Sequence, residues 1–192
     1  MAEQMKPQHK YKGRRSYLND FHQTLSGEYI YCGSRYNFRG SPRERHTLLA
    51  RLSGLGALMA IGSVICGCIR TPGTSNTFYV ILPYFATMMA VVSLIWALAR
   101  LINGGASLME HVYNGSVMAI PRRAAYTMAL SLLAVLGEIV YVLRNGTGGH
   151  TPECIFFLFS HTLIFVSAFL WRQLTARSVW DRDDSQKQNR TL

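Results

Sequence analysis

The sequence predicts an all-α integral membrane protein, with four transmembrane helices in an antiparallel bundle and short cytoplasmic β-hairpins beside it. The first observation is a run of apolar stretches between Arg51 and Arg172. Leu52–Ile69 has 18 residues and Thr71–Ala99 has 29, both uncharged. Ala124–Leu143 has 20, with Glu138 its single acid, and Cys154–Trp171 has 18 without an acid, Lys or Arg. A helix needs about 20 mostly apolar residues to cross roughly 30 Å of hydrocarbon. The second observation is where the net charge of +10 lies. Met1–Arg51 carries ten Lys/Arg, Arg122 and Arg123 follow the second stretch, and Arg172, Arg177, Arg182, Lys187 and Arg190 follow the fourth. The other two loops hold only Arg70 and Arg144. Lys and Arg gather on the cytoplasmic side, so a multi-pass protein of the cell (inner) membrane is expected, with both termini and residues 103–123 inside.

Residues 1–27 read as a disordered basic tail, polar and poor in apolar side chains. No apolar signal-peptide core precedes Thr47, so the first span is expected to serve as its own insertion signal. Residues 28–40 read as a cytoplasmic β-hairpin turning at Gly33-Ser34, since a glycine-first loop suits a type II′ turn. That register would set Tyr31 opposite Tyr36 and Tyr29 opposite Phe38, all four on one side of the ribbon. Such an aromatic face needs a partner, and these four residues are the candidate partner-binding surface.

A transmembrane domain over 42–175 follows, with spans at about 48–69, 78–102, 122–143 and 154–175. Ser41-Pro42-Arg43-Glu44 is a helix-start signature: Ser41 caps, Pro42 fits the first turn, and Glu44 completes a capping box. Thr71-Pro72-Gly73 stops this helix, and Asn103-Gly104-Gly105 stops the next. Within the loop 105–120, Asn114-Gly115 suggests a type I′ hairpin. A competing reading is an interfacial helix over Ser107–Tyr113 capped by Gly115. If the hairpin forms, it could join the first in one small cytoplasmic sheet. Residues 176–192 form the C-terminal tail.

Small residues recur at Gly56, Ala60, Ser63 and Gly67 on the first span, and at Ala86, Ala90, Ser93 and Ala97 on the second. Such stripes allow close backbone approach where lipid gives no hydrophobic incentive, so the first two spans are expected to form a tight antiparallel pair. Glu138 and His161 are the ionisable groups within spans. Each lies about 7–10 Å from the outer end by helical rise, so they are expected to pair, with Ser63, Thr87, Tyr141 and Ser160 as neighbours. An intramembrane ionisable group costs a few kcal/mol unless paired or hydrated.

Cys68 and Cys154 share the outer level and could bridge in an oxidising compartment. The histidines lack ligand spacing, so neither metal nor cofactor is assigned, and no catalytic set converges. The expected partners are the lipid bilayer, anionic headgroups near the basic tails, and a protein partner or further copies of the chain. No nucleic acid is expected. The leading expectation is a non-enzymatic membrane component or adaptor acting on its cytoplasmic side; the rival is a small transporter or channel subunit using Glu138 and His161.

Overall fold

The computed structural model describes residues 18–23 and 27–184. Residues 1–17, 24–26 and 185–192, with much of both tails, lie outside the described residues. Within the expected N-terminal tail, residues 18–20 form a 3₁₀ turn and β1 (Phe21–Gln23) follows, so order begins earlier than Glu28.

Four long helices carry the fold: α1 (Pro42–Cys68), α3 (Phe78–Asn103), α5 (Ile120–Asn145) and α6 (Thr151–Ala176). All four are long and apolar enough to cross a membrane. The short helices α2 (Pro72–Asn76) and α4 (Glu110–Gly115) sit in the connections. The start of α1 follows its sequence signature. Ser41 N–H donates to Glu44 Oε2 at 2.9 Å and Glu44 N–H donates to Ser41 Oγ at 3.2 Å, closing the capping box with Pro42 in the first turn. Thr71 does more than end α1, because its hydroxyl caps α2 by accepting Thr74 N–H at 3.1 Å.

Around the bundle, α1 touches α3 and α6, and α5 touches both as well, giving the cyclic order α1–α3–α5–α6. The expected tight pair of α1 and α3 is the least extensive of these four contacts; α1 lies more broadly on α6. The reason is visible at the glycines. A Cβ on Gly56 would meet the Trp171 ring at 3.4 Å, and one on Gly62 would meet Ile164 at 3.5 Å, so the small face of α1 receives α6. Trp171 is fully buried there, and its indole N–H donates to Leu52 C=O at 2.7 Å. Of the first-span stripe, Gly67 does face α3, at the Tyr84 hydroxyl. On α3 only Ala97 of the stripe is fully buried, while Ala86, Ala90 and Ser93 lie on its flank. The closest backbone approach on α3 comes from α5 instead, where a Cβ on Gly137 would lie 2.8 Å from Tyr79 C=O.

Both expected hairpins are replaced by other pairings. Strand β2 (Tyr29–Tyr31) pairs antiparallel with β1, setting Phe21 opposite Tyr31. Strand β3 (Arg35–Phe38) is the centre of a separate sheet, ordered β4-β3-β5, with β4 (Ser107–Met109) and β5 (Trp180–Asp183) antiparallel on either side. The physical reason lies in the turns. A type II′ turn needs a positive φ at its first central residue and a type I′ turn at both. Gly33, Asn114 and Gly115 do not have one. Gly115 instead gives room to the Arg100 guanidinium, 2.6 Å from where its Cβ would stand. The helical alternative for this loop is the nearer one, shifted to Glu110–Gly115 behind β4. A small sheet joining residues 35–38 to the 105–120 loop does form, with the C-terminal segment as its third strand.

Gly137 and Gly54 offer a paired test of the packing. Gly137→Ala drives a methyl against Tyr79 backbone and is expected to destabilise the chain by about 1–3 kcal/mol, as overpacking does. At Gly54 an added methyl meets nothing within 4 Å, so Gly54→Ala should leave stability unchanged or slightly raised. Thermal unfolding in detergent measures both. Equal effects from the two substitutions would contradict the α3–α5 contact.

Candidate functional site

The buried ionisable groups Glu138 and His161 fall in different environments and no bond joins them. Glu138 is fully enclosed near the end of the bundle where α5 finishes. Its Oε2 lies 3.3 Å from the Thr71 hydroxyl, which can donate to it, and the Cys154 thiol is within hydrogen-bond reach. Its Oε1 has no partner among the described residues. Gly73 of α2 stands directly over the carboxyl and leaves no space for a side chain.

His161 is likewise fully enclosed. Its Nδ1 lies 3.1 Å from Phe157 C=O and 3.4 Å from Cys66 Sγ. Nε2 has no partner among the described residues. The ring sits beside Phe157, centroids 4.2 Å apart, and edge-on to Tyr84 at 6.0 Å. The expected pairing fails on depth and direction. Cys154, level with Glu138, stands seven residues before His161 on α6, about 10 Å along the axis. The imidazole turns toward α1 and α3, whereas the carboxyl turns toward α2 and the start of α6.

Among the described residues the expected neighbours make no hydrogen bond to either group. Ser63 Oγ donates to Met59 C=O and Thr87 Oγ1 to Pro83 C=O, at 2.9 and 2.7 Å. Tyr141 packs in an apolar cluster with Tyr84 and Phe157, and Ser160 lies beside Cys66. Sequence reasoning missed Thr71, Gly73 and Cys154 around Glu138, and Cys66 beside His161. The Thr71-Pro72 start of a short helix was the available signal for the first. All four cysteines are free thiols, so Cys68 and Cys154 are unbridged, the first exposed and the second buried.

The four aromatic residues singled out near the N-terminus do not share one face. Tyr36 stacks on Tyr113 with centroids 3.9 Å apart, and Phe38 meets Trp180 edge-on at 5.3 Å. Tyr31 is buried; its hydroxyl donates to Ser34 C=O at 3.0 Å and accepts Glu110 N–H at 3.1 Å. Burial pushes this phenol above its ordinary pKa, offset in part by the bond from Glu110. Tyr29 alone of the four is open, 68% exposed, with Ile30 beside it at 42%. The Arg39 guanidinium grips Asp181 through two bonds of 2.6 and 2.9 Å and holds that carboxyl below its ordinary pKa. This ties β3 to β5 at the surface.

Among the described residues no group of three or more His, Cys, Asp or Glu is placed to hold a metal. Comparison with protein-family models, with curated proteins and with solved structures found no match. The functional reading therefore rests on the geometry of this chain alone.

The Glu138 pocket carries a coupling prediction. Gly73→Ala must push the carboxyl off Thr71 and lower the melting temperature. In a Glu138→Ala background the same methyl has nothing to displace. A double-mutant cycle in detergent is expected to give a coupling of about 1 kcal/mol or more between the two sites, and additivity would contradict the packing described.

Proposed function

We propose that the chain is a multi-pass membrane protein that catalyses no reaction and docks a protein partner at its basic, cytoplasmic end. The bilayer reading is supported by the bundle's outer surface, where Phe78, Leu143, Tyr126 and Val64 are 66–82% exposed. A soluble chain rarely leaves so much contiguous apolar surface open to water. Orientation is supported by charge: the ends of α1 and α6 that carry the sheet also adjoin most of the Lys and Arg, as expected of the cytoplasmic side.

The observation that carries docking is the β1–β2 ribbon. Most aromatic side chains of the basic end are packed against one another, whereas Tyr29 and Ile30 present their side chains outward on β2, a strand that among the described residues is paired along one edge. A partner strand or apolar side chain can be taken up there through main-chain bonds and side-chain contacts.

A second reading, a small transporter or channel subunit, is favoured by Glu138 Oε1 and His161 Nε2, which have no hydrogen-bond partner among the described residues. In it the two groups would act as successive stations, since they are about two helical turns apart. Proton flux into vesicles that falls in Glu138→Gln and His161→Gln would support that reading over docking.

The docking proposal is tested by purifying the chain from its native membrane with and without Tyr29→Ala and Ile30→Ser. The double variant is expected to insert normally and to lose a stoichiometric protein companion. An unchanged set of companions at equal membrane yield would overturn it.

A further inference from the structure

A second feature of the basic end lies between α1 and α6. Several arginines there are bonded within the protein. Arg39 is bound to Asp181, Arg45 to Gly105 C=O, Arg123 to Ser93 C=O, and Arg182 to Asp184 and Ser34. The guanidinium groups of Arg43 and Arg51 have no hydrogen-bonding or ion-pair partner among the described residues, and both residues line one open groove of about 470 Å³. Arg43, Thr47 and Arg51 follow one another at four-residue spacing, the separation that keeps helical side chains on neighbouring positions of one side. Leu48 and Leu174 supply the apolar part of the lining.

The groove lies where polarity changes. Arg51 is the last charged residue before the 18 uncharged residues of Leu52–Ile69, and Leu174 follows Arg172 at the corresponding end of α6. Its one acid is Glu44, whose carboxylate already accepts Ser41 N–H in the capping box. Two arginines against one engaged acid leave the lining cationic. Guanidinium groups match phosphate oxygens in a two-pronged geometry.

We propose that this groove binds the phosphate of an anionic phospholipid headgroup, with Arg43 and Arg51 on the phosphate and the acyl chains running past Leu48 and Leu174. The apolar lining favours a lipid over a soluble phosphate. The inference rests on the bundle crossing a bilayer and does not depend on partner docking at Tyr29.

The full chain, placed in phosphatidylcholine nanodiscs with a minor fraction of phosphatidylglycerol, can be released into native mass spectrometry and its retained lipid counted. Arg43→Gln with Arg51→Gln is expected to lower phosphatidylglycerol retention about tenfold or more, because the groove loses both of its guanidinium groups. Arg122→Gln with Arg144→Gln removes the same charge elsewhere and should retain near wild-type lipid. Equal loss in both pairs, or no loss in the groove pair, would overturn the proposal. So would displacement of the lipid by millimolar inorganic phosphate, which would mark a soluble-phosphate site. Recovery of every variant in the membrane fraction is scored separately, so failure to insert is distinguished from failure to bind lipid.

Discussion

The dominant constraint on this chain is that its bundle is apolar on the outside, so each polar group inside must find its partner within the protein. Phe78, Phe159, Leu143 and Val64 face outward, while Ser63, Thr87, Thr127 and Thr175 are buried among the helices. Each of these four hydroxyls donates back to the carbonyl four residues earlier on its own helix. A hydroxyl satisfied in this way adds no demand on a neighbour, and the helices can pack on Leu, Ala and Gly. Trp171 obeys the same rule with a longer reach, filling the space at Gly56 and donating to Leu52. Glu138 and His161 are the exceptions, each keeping one atom without a partner among the described residues. In a low-dielectric interior such groups are costly, which is why they stand out as the sites where chemistry could be added to an otherwise satisfied bundle.

The strands outside the helices of the bundle gather at one of its ends. Strands from before α1, after α3 and after α6 meet in one sheet because those three helix ends lie at one end of the bundle. The sheet is held by ring contacts among Tyr36, Tyr113, Phe38 and Trp180 and, at its rim, by Arg39 with Asp181. An exposed ion pair of this kind adds little by itself. The aromatic cluster supplies the burial that short strands lack on their own. Arginine is thus used in two ways at this end: some residues brace the protein's own backbone and carboxylates, and others, Arg43 and Arg51 among them, face outward.

Helix positions were readable from the sequence because length and composition alone distinguish a span, and the α1 cap because its residues act locally. The spans at 48–69, 78–102, 122–143 and 154–175 all fall within helices, apart from Ile69, the residue that caps α1. What failed depended on contacts between distant segments. Gly33-Ser34 and Asn114-Gly115 have the composition of hairpin turns, yet their backbones do not take the positive φ such turns need. The strands instead pair with segments up to about 150 residues away, which no local pattern encodes. The Glu138–His161 pair failed for a related reason: apolar runs do not fix the level of one helix against another, and the structure sets Cys154, not His161, beside Glu138. Rotation about the helix axis then sent the two side chains to different neighbours. Small-residue stripes suggest close backbone approach of the first two spans, but at Gly56 the neighbour received is the Trp171 side chain of α6.

The most direct measurement is side-specific labelling in intact cells with a membrane-impermeant maleimide. Cysteine-free protein would carry a single cysteine at His150, between α5 and α6, or at Arg177, just past α6. If the helices traverse lipid with the basic end inward, His150→Cys is labelled in intact cells and Arg177→Cys only after permeabilisation. Labelling of both positions from the same side, or recovery of the chain in the soluble fraction without detergent, would contradict the bilayer-spanning bundle.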